Sequence, residues 1–408
     1  MIHSSHFQPR IWAYEGTAVG TQIDRLQDMT VGITLNRTKM KEIGRKELID
    51  WRDAIPAITL SLRQYEYGEM EFWRQLANTT LVDTTVTEDD FETTQVDIAA
   101  YETSADDTFL STVWYPNLRV AGFGVNIGDP DAIVERSINL VGEDENTLQG
   151  NNKYLIFLLD TTCVGASHTI IIGSGAWSTY PDPVVDPDHS GDDTYILKLV
   201  KVTAAGVASE LEITTDYTYN LGTKTITIPG SAASDTFKVY YSATTYISGA
   251  VPFTDNDLDA AGLLASYCSI YLETSTYVYK LQSVAVDVTF DRTDYKEIGN
   301  EEVVVRGVRD TTVRVTLGRF LEEWTVEEIL RGVVADYGKI DVREFLDNLS
   351  LTIKIYNNAN KDTFLIGYKF TNLSPTGMDQ GVAVDDYANQ GITLEADNFL
   401  ITSDENEL

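Results

Sequence analysis

The chain has 408 residues, with 63 acidic and 30 basic side chains and a formal net charge of -33 at pH 7. This length is enough for two to four domains, and no apolar run of about 18 residues suggests a membrane-spanning helix. The charge argues against a tight nucleic-acid binder, because gripping phosphates requires clustered Lys and Arg. The same acidic excess also fits plain solubility or salt-rich surroundings.

Cysteines and the N-terminus give two minor expectations. Cys163 and Cys268 are too few for a disulfide scaffold, so we expect two free, buried thiols. The first ten residues lack the basic and then apolar order of a secretory signal peptide. We therefore expect the protein to stay where it is made, or to leave by a route that needs no such signal.

The first predicted elements are two long strands joined by a polar excursion. Apolar and polar residues alternate from Asp28 to Leu35 and again from Ile58 to Arg63, which is the period of a strand with one buried and one wet face. A helix is predicted next, over Glu69 to Ala77. Further strands are predicted over Val120 to Ile127 and Ile133 to Val141.

The sequence changes character at about Asn151. Two apolar runs come first, and a turn-rich acidic loop follows from Pro181 to Asp193. Short strands at regular spacing are then predicted over Tyr195 to Val202, Glu210 to Thr214, Thr223 to Ile228 and Thr236 to Tyr241. This spacing is typical of a small β-sandwich or barrel.

Beyond this region the chain repeats itself. Leu281 to Gly299 matches Leu26 to Gly44 at an offset of 255, and ten of the 19 positions are identical. About one identity is expected by chance. A second long strand and a helix (Thr325 to Val333) follow as before, and Thr325 with Glu328 fits a capping box. The later predicted strands are Leu351 to Tyr356, Phe364 to Phe370 and Gln390 to Ala396.

These patterns predict a mainly β fold with flanking helices, built on an internal duplication. The predicted domains are a first copy (1–150), an inserted β-rich domain (151–265) and a second copy (266–408). An inserted domain of this kind is expected on the outside of whatever the two copies build.

Catalytic signatures are not found. The four histidines lie at His3, His6, His168 and His189, without a local set of partners for nucleophilic or metal chemistry. Asp186 and Asp188 have the first and third positions of a Ca²⁺-type loop, but Leu197 stands where the bidentate Glu belongs. A solvated acidic turn explains this loop without a metal, so we predict neither a cofactor nor an enzyme.

The repeated unit resembles the phage tail tube protein family. The resemblance is carried by the Gln-led alternating strand, the Arg-Thr pair, the Lys-Glu-Ile-Gly motif, the second alternating strand and the following helix. It covers Leu26 to about Trp73 and Leu281 to about Arg331 well, and it excludes the inserted region. It implies that each copy forms a small β-sandwich or barrel domain with a flanking helix. The sheets of neighbouring domains would join into a continuous barrel around a channel, usually with six domains per ring.

The resemblance also assigns a role to the loop between the two long strands, which reaches towards the adjacent ring. The residues that match this loop are Lys41, Glu42, Ile43, Gly44, Lys296, Glu297, Ile298 and Gly299. Family members mostly carry one tube domain, whereas this chain carries two. Three chains would then supply the six domains of a ring, so we expect a homotrimer with pseudo-sixfold symmetry.

In such a ring the wet face of the long strands would line the channel. A channel for DNA needs hydration and weak repulsion rather than a firm grip on phosphates. The side chains expected to face the lumen are Asp28, Thr30, Thr34, Asn36, Thr59, Ser61, Arg63, Ser283, Asp287, Thr289, Asp291, Thr312, Arg314 and Thr316. Arg63 and Arg314 fit this face only if they pair with carboxylates on neighbouring strands.

The function implied is that of a structural protein in the tail of a virion, assembled in the host cytoplasm. Its partners would be other copies of itself, the tape measure and terminator proteins, and a sheath where the tail contracts. Double-stranded DNA would pass through the tube without specific binding, and no membrane insertion is expected. The alternatives are a tail terminator or hub of the same fold, a cell-surface glycan-binding β-protein, or an acidic glycan hydrolase.

Overall fold

The structure, a computed structural model, describes residues 7–13, 20–40, 50–53, 55–77, 82–92, 94–104, 108–184, 195–248, 262–273, 276–278, 280–296, 303–320, 325–331, 346–381 and 388–408. Within these ranges the chain is mainly β, as predicted. No helix among them is long and apolar enough to cross a membrane.

Within its described residues the first copy contributes eleven strands and one α-helix, α1 (Met70–Ala77), which lies between β6 and β7. The strands are β1 (Phe7–Ala13), β2 (Thr21–Gln22), β3 (Leu26–Thr34), β4 (Arg37–Met40), β5 (Asp50–Asp53), β6 (Ala57–Tyr65), β7 (Thr85–Thr87), β8 (Val96–Thr103), β9 (Phe109–Ile127), β10 (Glu135–Gly142) and β11 (Asn146–Gln149).

The inserted region contributes β12 (Tyr154–Asp160), β13 (Ser167–Ile171), β14 (Lys198–Val202), β15 (Ala208–Glu210), β16 (Thr218–Asn220), β17 (Thr225–Pro229) and β18 (Thr236–Ala243). The second copy contributes β19 (Cys268–Leu272), β20 (Thr276–Tyr277), β21 (Leu281–Lys296), β22 (Val303–Phe320), β23 (Leu349–Tyr356), β24 (Phe364–Gly381), β25 (Asn389–Ala396) and β26 (Asn398–Thr402). Its helix α2 (Thr325–Arg331) follows β22, and residues 332 and 333 of the predicted helix lie outside the described ranges.

The two copies share one antiparallel sheet, here called the long sheet. Its eight strands run in the order β3, β6, β10, β9, β21, β22, β25, β24, so four strands of each copy lie side by side. Buried and exposed side chains alternate along its strands. In β6, Ile58, Leu60 and Leu62 are buried, and the residues between them face water. The described strands form open sheets rather than closed barrels, so the barrel alternative is wrong for the single chain.

Each copy adds a second layer against the apolar face of the long sheet. The first outer sheet is β2-β1-β8-β9-β11, and the second outer sheet is β20-β19-β23-β24-β26-β7. β9 and β24 run through both layers, and each turns the corner at a residue with positive φ, Asn117 (57°) and Asn372 (59°). Asn tolerates this left-handed region better than most residues.

The offset of 255 relates much of the two copies, well beyond the stretch where identity reveals it. It relates Asn117 to Asn372, β2 to β20, and the first residue of α1 to that of α2. Another related pair, Arg25 and Lys280, has positive φ in both copies (56° and 58°). Conformation is thus retained at places where the side chain has changed.

One hydrophobic core serves both copies. It contains Leu60 and Val120 from the first copy together with Val286, Val315 and Tyr368 from the second. Trp73 of α1 packs its ring 4.9 Å from Phe123 and 6.1 Å from Tyr368, which belongs to the other copy. The two copies are therefore held together by a shared hydrophobic core and do not form two separately packed domains.

The inserted region forms a small sandwich of two sheets, β12-β18-β14-β15 and β13-β17-β16, around a core of its own. Its outer face packs on the first outer sheet through a cluster that contains Trp12, Trp114, Leu155 and Tyr240. Trp114 lies next to Tyr115, whose side chain enters the shared core. Because neighbours along a strand point to opposite faces, the inserted sandwich lies on the side away from the long sheet.

The two cysteines are free and buried, as predicted. Cys163 lies in the core of the inserted sandwich and Cys268 in the shared core. They therefore belong to separate clusters.

Candidate assembly interface

The junction of the two copies in the long sheet, here called the internal seam, is where β9 pairs with β21. Ile127 lies opposite Val284 and the ladder continues without a slip to Gly122 opposite Thr289. A second pairing joins the copies in the outer layer, where β26 of the second copy pairs with β7 of the first. Thr402 adds a hydrogen bond from its Oγ1 to the carbonyl of Thr84 at 3.0 Å.

Gly122 makes the internal seam unusually close. A Cβ atom at this position would lie 2.4 Å from the carbonyl oxygen of Val288, far inside contact distance. Only glycine allows the two backbones to approach this way. Its counterpart in the second copy is Gly377, where the nearest heavy atom to a Cβ would be 3.7 Å away, in Thr393.

Aromatic side chains seal the internal seam from the core side. Phe290 of β21 stacks on Phe91 of the first copy at a centroid distance of 5.5 Å, and Phe399 lies within 6.1 Å of both. Phe290 and its neighbour Val288 are 4% and 1% exposed. Aromatic pairs of this kind contribute about 0.5–1.5 kcal/mol each beyond their burial.

Arg292 fastens the end of the internal seam. From the second copy it donates three hydrogen bonds to backbone carbonyls of the first: Nε to Val120 at 2.6 Å, Nη2 to Phe91 at 2.7 Å and Nη1 to Glu92 at 3.2 Å. Hydrogen bonds from a charged donor are stronger than neutral ones. Arg292 is the Arg of the repeated Arg-Thr pair, and Arg37 is its counterpart.

The outer edges of the long sheet are β3 and the second half of β24, and no described strand pairs with either edge. The apolar side chains of β3 and of the residue after it are less buried than their counterparts in β21: Met29 and Val31 are partly buried, and the next two are exposed. Ile33 is 51% exposed against 1% for Val288, and Leu35 is 60% exposed against 4% for Phe290. An apolar edge of this kind is a ready-made site for pairing with another chain.

The fourteen residues predicted to face a lumen are all exposed. The cross-strand register places thirteen of them on one surface of the long sheet, here called the polar face, and Asn36 follows just after β3. One row of this face crosses six strands as Asp28, Arg63, Ser137, Gly124, Asp287 and Arg314. That the polar face lines a channel remains a prediction.

Both arginines of the polar face have carboxylates on neighbouring strands, and an ion pair is formed by Arg314. Arg314 forms an ion pair from Nη2 to Oε1 of Glu395 on β25 at 2.8 Å, and Asp287 is its cross-strand neighbour on β21. Arg63 lies directly opposite Asp28 on β3. The positive charges are thus set among acidic neighbours rather than gathered into a phosphate-binding patch.

The predicted ring-to-ring loops lie mostly outside the described residues. This applies to Lys41, Glu42, Ile43, Gly44, Glu297, Ile298 and Gly299, while Lys296 is the last residue of β21. The strand pairs that lead towards both loops are described, from Arg37 opposite Asp53 and up to Lys296 opposite Val303. Asp186 and Asp188 of the candidate Ca²⁺ loop also lie outside the described ranges.

The seam residues Arg292, Gly122 and Phe91 were not singled out from the sequence. Arg292 carried a signal, since it is one of the ten identities of the repeat, but nothing local says which backbone it would bind. Gly122 and Phe91 lie where the two copies share little sequence, and their role depends on partners about 170 to 200 residues away.

No family model and no curated protein matches the chain. Solved structures match in part. A chain of the sheath-tube complex of an extracellular contractile injection system in its extended state is 18% identical, with 37% of this chain and 100% of that chain covered and a TM-score of 0.29. The tube-terminating cap of the anti-feeding prophage is also 18% identical, with coverages of 38% and 100% and a TM-score of 0.29. A sheath/tube terminator is 16% identical, with coverages of 38% and 99% and a TM-score of 0.27.

Proposed function

We propose that the protein is a structural virion protein that polymerises as stacked rings into the tail tube of a tailed virus. The observation that supports this most is the long sheet. Two copies of one unit already continue a single antiparallel sheet edge to edge, and each end of that sheet carries the counterpart of a strand that is paired at the internal seam. One free edge of the sheet is therefore equivalent to the β9 side of the internal seam and the other to its β21 side, so the two free edges complement each other.

Repetition of this joint between chains is heterologous, because a different edge is used on each side. A heterologous interface closes into a ring if its rotation is an integer fraction of a full turn, and otherwise it builds a helix. If the joint turns the sheet by a sixth of a circle, three chains complete a ring of six units. Closure removes every exposed edge of the long sheet at once.

The channel would be lined by the polar face. Hydroxyl, glycine and carboxylate groups dominate it, and its arginines lie beside acids, so double-stranded DNA would meet a hydrated surface without a firm grip. The inserted sandwich lies on the opposite side of the first copy and would decorate the outside of the tube. The further partners of the tube would be the terminator, the tape measure and, in a contractile tail, the sheath.

Electron microscopy of the purified protein tests this proposal. We expect stacked rings with a central hole, threefold symmetry and a ring mass of three chains. Single rings that never stack would instead favour a terminator or hub. A protein that stays monomeric at all concentrations, or rings of six chains, would contradict the trimeric tube.

Gold labelling tests which surface faces the hole. The two native cysteines are buried, so a maleimide-gold label can be directed to Thr59→Cys on the polar face, with Val207→Cys on the inserted sandwich as the matched control. We expect density inside the hole for Thr59→Cys and outside the wall for Val207→Cys. The reverse arrangement would exclude the lumen assignment.

A further inference from the structure

We propose that rings close in one defined register, in which β24 of one chain pairs antiparallel with β3 of the next so that Met378 lies opposite Ile33 and Asp379 opposite Gly32. This inference rests on the proposed function and specifies its chain-to-chain contact. It is obtained by moving the internal seam 255 residues along the chain, and four independent features of the two free edges support it.

The first feature is that the two edges have the right shape. β9 and β24 pair with β10 and β25 in matching registers, including one bulge in each ladder: Val120 lies opposite Leu140, and Pro375 lies opposite Leu394. β3 and β21 likewise pair with β6 and β22. The surfaces that meet at the internal seam are therefore reproduced, strand for strand, at the two free edges.

The second feature is an exchange of residues that preserves charge balance. At the internal seam Gly124 of β9 lies opposite Asp287 of β21. The counterparts at the free edges are Asp379 on β24 and Gly32 on β3, so the pair is again one aspartate and one glycine, with the strands exchanged. Two carboxylates directly opposite each other would repel, and both seams avoid this.

The third feature is unused apolar surface. Val288, which is buried at the internal seam opposite Phe123, corresponds to Ile33, which is half exposed. The counterpart of Phe123 is Met378, an apolar side chain on the free edge. The proposed register brings Ile33 and Met378 together and covers both.

The fourth feature is Gly377, the counterpart of Gly122 on the free edge. Gly122 is required at the internal seam because the Val288 carbonyl approaches it, whereas a Cβ at Gly377 would lie 3.7 Å from the nearest heavy atom of the described residues. In the proposed register Gly377 lies opposite Thr34, beside the carbonyl of Ile33. A close backbone approach from the next chain would explain why the edge keeps a glycine.

Arg37 completes the contact. Its counterpart Arg292 donates from Nε to the carbonyl of Val120, and the counterpart of that carbonyl is the one of Pro375. The register places Arg37 at the end of the joint, as Arg292 is at the internal seam. We therefore assign Arg37 the role of binding the Pro375 carbonyl of the next chain.

Disulfide trapping tests the register in the full-length protein. Under mild oxidation Ile33→Cys with Met378→Cys in one chain should give covalent oligomers up to the trimer. The matched control, Ile33→Cys with Gln380→Cys, places the second thiol two residues off register on the same face and should give at least about tenfold less product. The unsubstituted protein, whose two thiols are buried, sets the background.

A charge exchange gives a second, independent test. Gly32→Asp sets a second carboxylate opposite Asp379 and should weaken self-association about tenfold relative to the isosteric control Gly32→Asn, with the difference shrinking at high salt. Adding Asp379→Gly should restore association. Arg37→Met should also weaken association about tenfold, with circular dichroism of the dilute chain as the check that the variant is folded.

The outcomes separate this inference from the proposed function. Rings that form but trap preferentially through Gln380→Cys, or that respond equally to Gly32→Asp and Gly32→Asn, would overturn the register and leave the tube proposal standing. A protein that forms no rings and traps no oligomers would overturn both.

Discussion

Arg136 donates from Nε to Oε1 of Gln64 at 2.9 Å across the pairing of β10 with β6, and both side chains are buried. The second copy repeats this contact with the residues exchanged: Arg319 stands at the counterpart of Gln64 and donates to Gln390 at 2.8 Å. Each arginine also pairs with a buried carboxylate, Glu66 at 3.3 Å or Glu327 at 2.6 Å. The duplicated fold thus needs one arginine and one glutamine at this place, on either strand.

Removal of the Arg136 side chain should therefore be costly. Arg136→Met leaves Glu66 buried with only its remaining partners, such as the Tyr368 hydroxyl at 2.7 Å. An uncompensated buried charge typically costs about 3–5 kcal/mol. Urea unfolding would measure this loss, and the exposed Arg63→Met is the matched control, which should change stability little. A loss as small as that of the control would refute the role of the buried pair.

Attachment of the inserted sandwich depends on Lys198. Its Nζ lies 2.8 Å from Oδ1 of Asp97 and 2.6 Å from Oδ1 of Asn117, in a buried contact between β14 and the corner of the first copy. Lys198→Met should destabilise this docking by about 3–5 kcal/mol, because the buried Asp97 carboxylate loses its ion pair and retains the hydrogen bond from the backbone N–H of Asn117 at 2.9 Å. Hydrogen exchange should then rise in β12 and β18.

The double variant Lys198→Met with Asp97→Leu is the control for Lys198, since a buried apolar pair can replace a buried ion pair. It should recover much of the protection. Equal exchange in all three proteins would show that apolar packing alone holds the inserted sandwich.

Replacement of glycine by alanine should destabilise the isolated chain at Gly122 of the internal seam but not at Gly377 of the free edge. Gly122→Ala forces a Cβ against the Val288 carbonyl and should cost the isolated chain about 1–3 kcal/mol. Gly377→Ala has room in the isolated chain and should change its stability by no more than about 0.5 kcal/mol. Sedimentation should nevertheless show weaker assembly for Gly377→Ala. Equal unfolding curves for the two variants would contradict the close approach at the internal seam.

The Cys268 thiol should make the folded protein less stable at alkaline pH. Burial, with a smaller contribution from Glu66, raises the pKa of its thiol to about 12, against about 8.5 in an unfolded chain. Because the folded state favours the protonated thiol, its contribution to stability is fully present below about pH 8.5 and is lost as the pH rises towards 12. Stability of the native protein should fall more steeply over this range than that of Cys268→Ala.

Alkylation gives a direct check on the same thiol. Iodoacetamide at pH 8.5 should leave Cys268 unmodified in the folded protein and modify it after unfolding in urea. Rapid labelling of the folded protein would show that the thiol is accessible.

Sequence reasoning was strongest where the period was clean. Alternation predicted β3, β6, β21 and β22 and the wet faces of β6, β21 and β22, because a half-buried strand has to alternate. In β3 the apolar face is also open to water, since Ile33 is 51% exposed at the free edge. Helices α1 and α2, together with β14, β17 and β18 of the inserted sandwich, followed from composition and turn residues. The strand predicted over Glu210 to Thr214 was misplaced, because β15 ends at Glu210, and β12, β13 and β16 were not predicted as strands. The duplication was visible only between Leu26 and Gly44, since later strands keep conformation and burial but few identities.

The local sequence pattern did not predict which strands pair with each other or which distant side chains meet. The eight-stranded order, the exchange of Arg136 with Gln390 and of Gln64 with Arg319, and the binding of first-copy carbonyls by Arg292 all join residues far apart in the chain. Sequence by itself determined that two similar β units exist, that each has strands with one polar face, and that the chain contains no run of clustered Lys and Arg. Only the tertiary structure decided that the units share one sheet and one core, because strand order depends on which edges meet, and alternation along a strand carries no record of its neighbour.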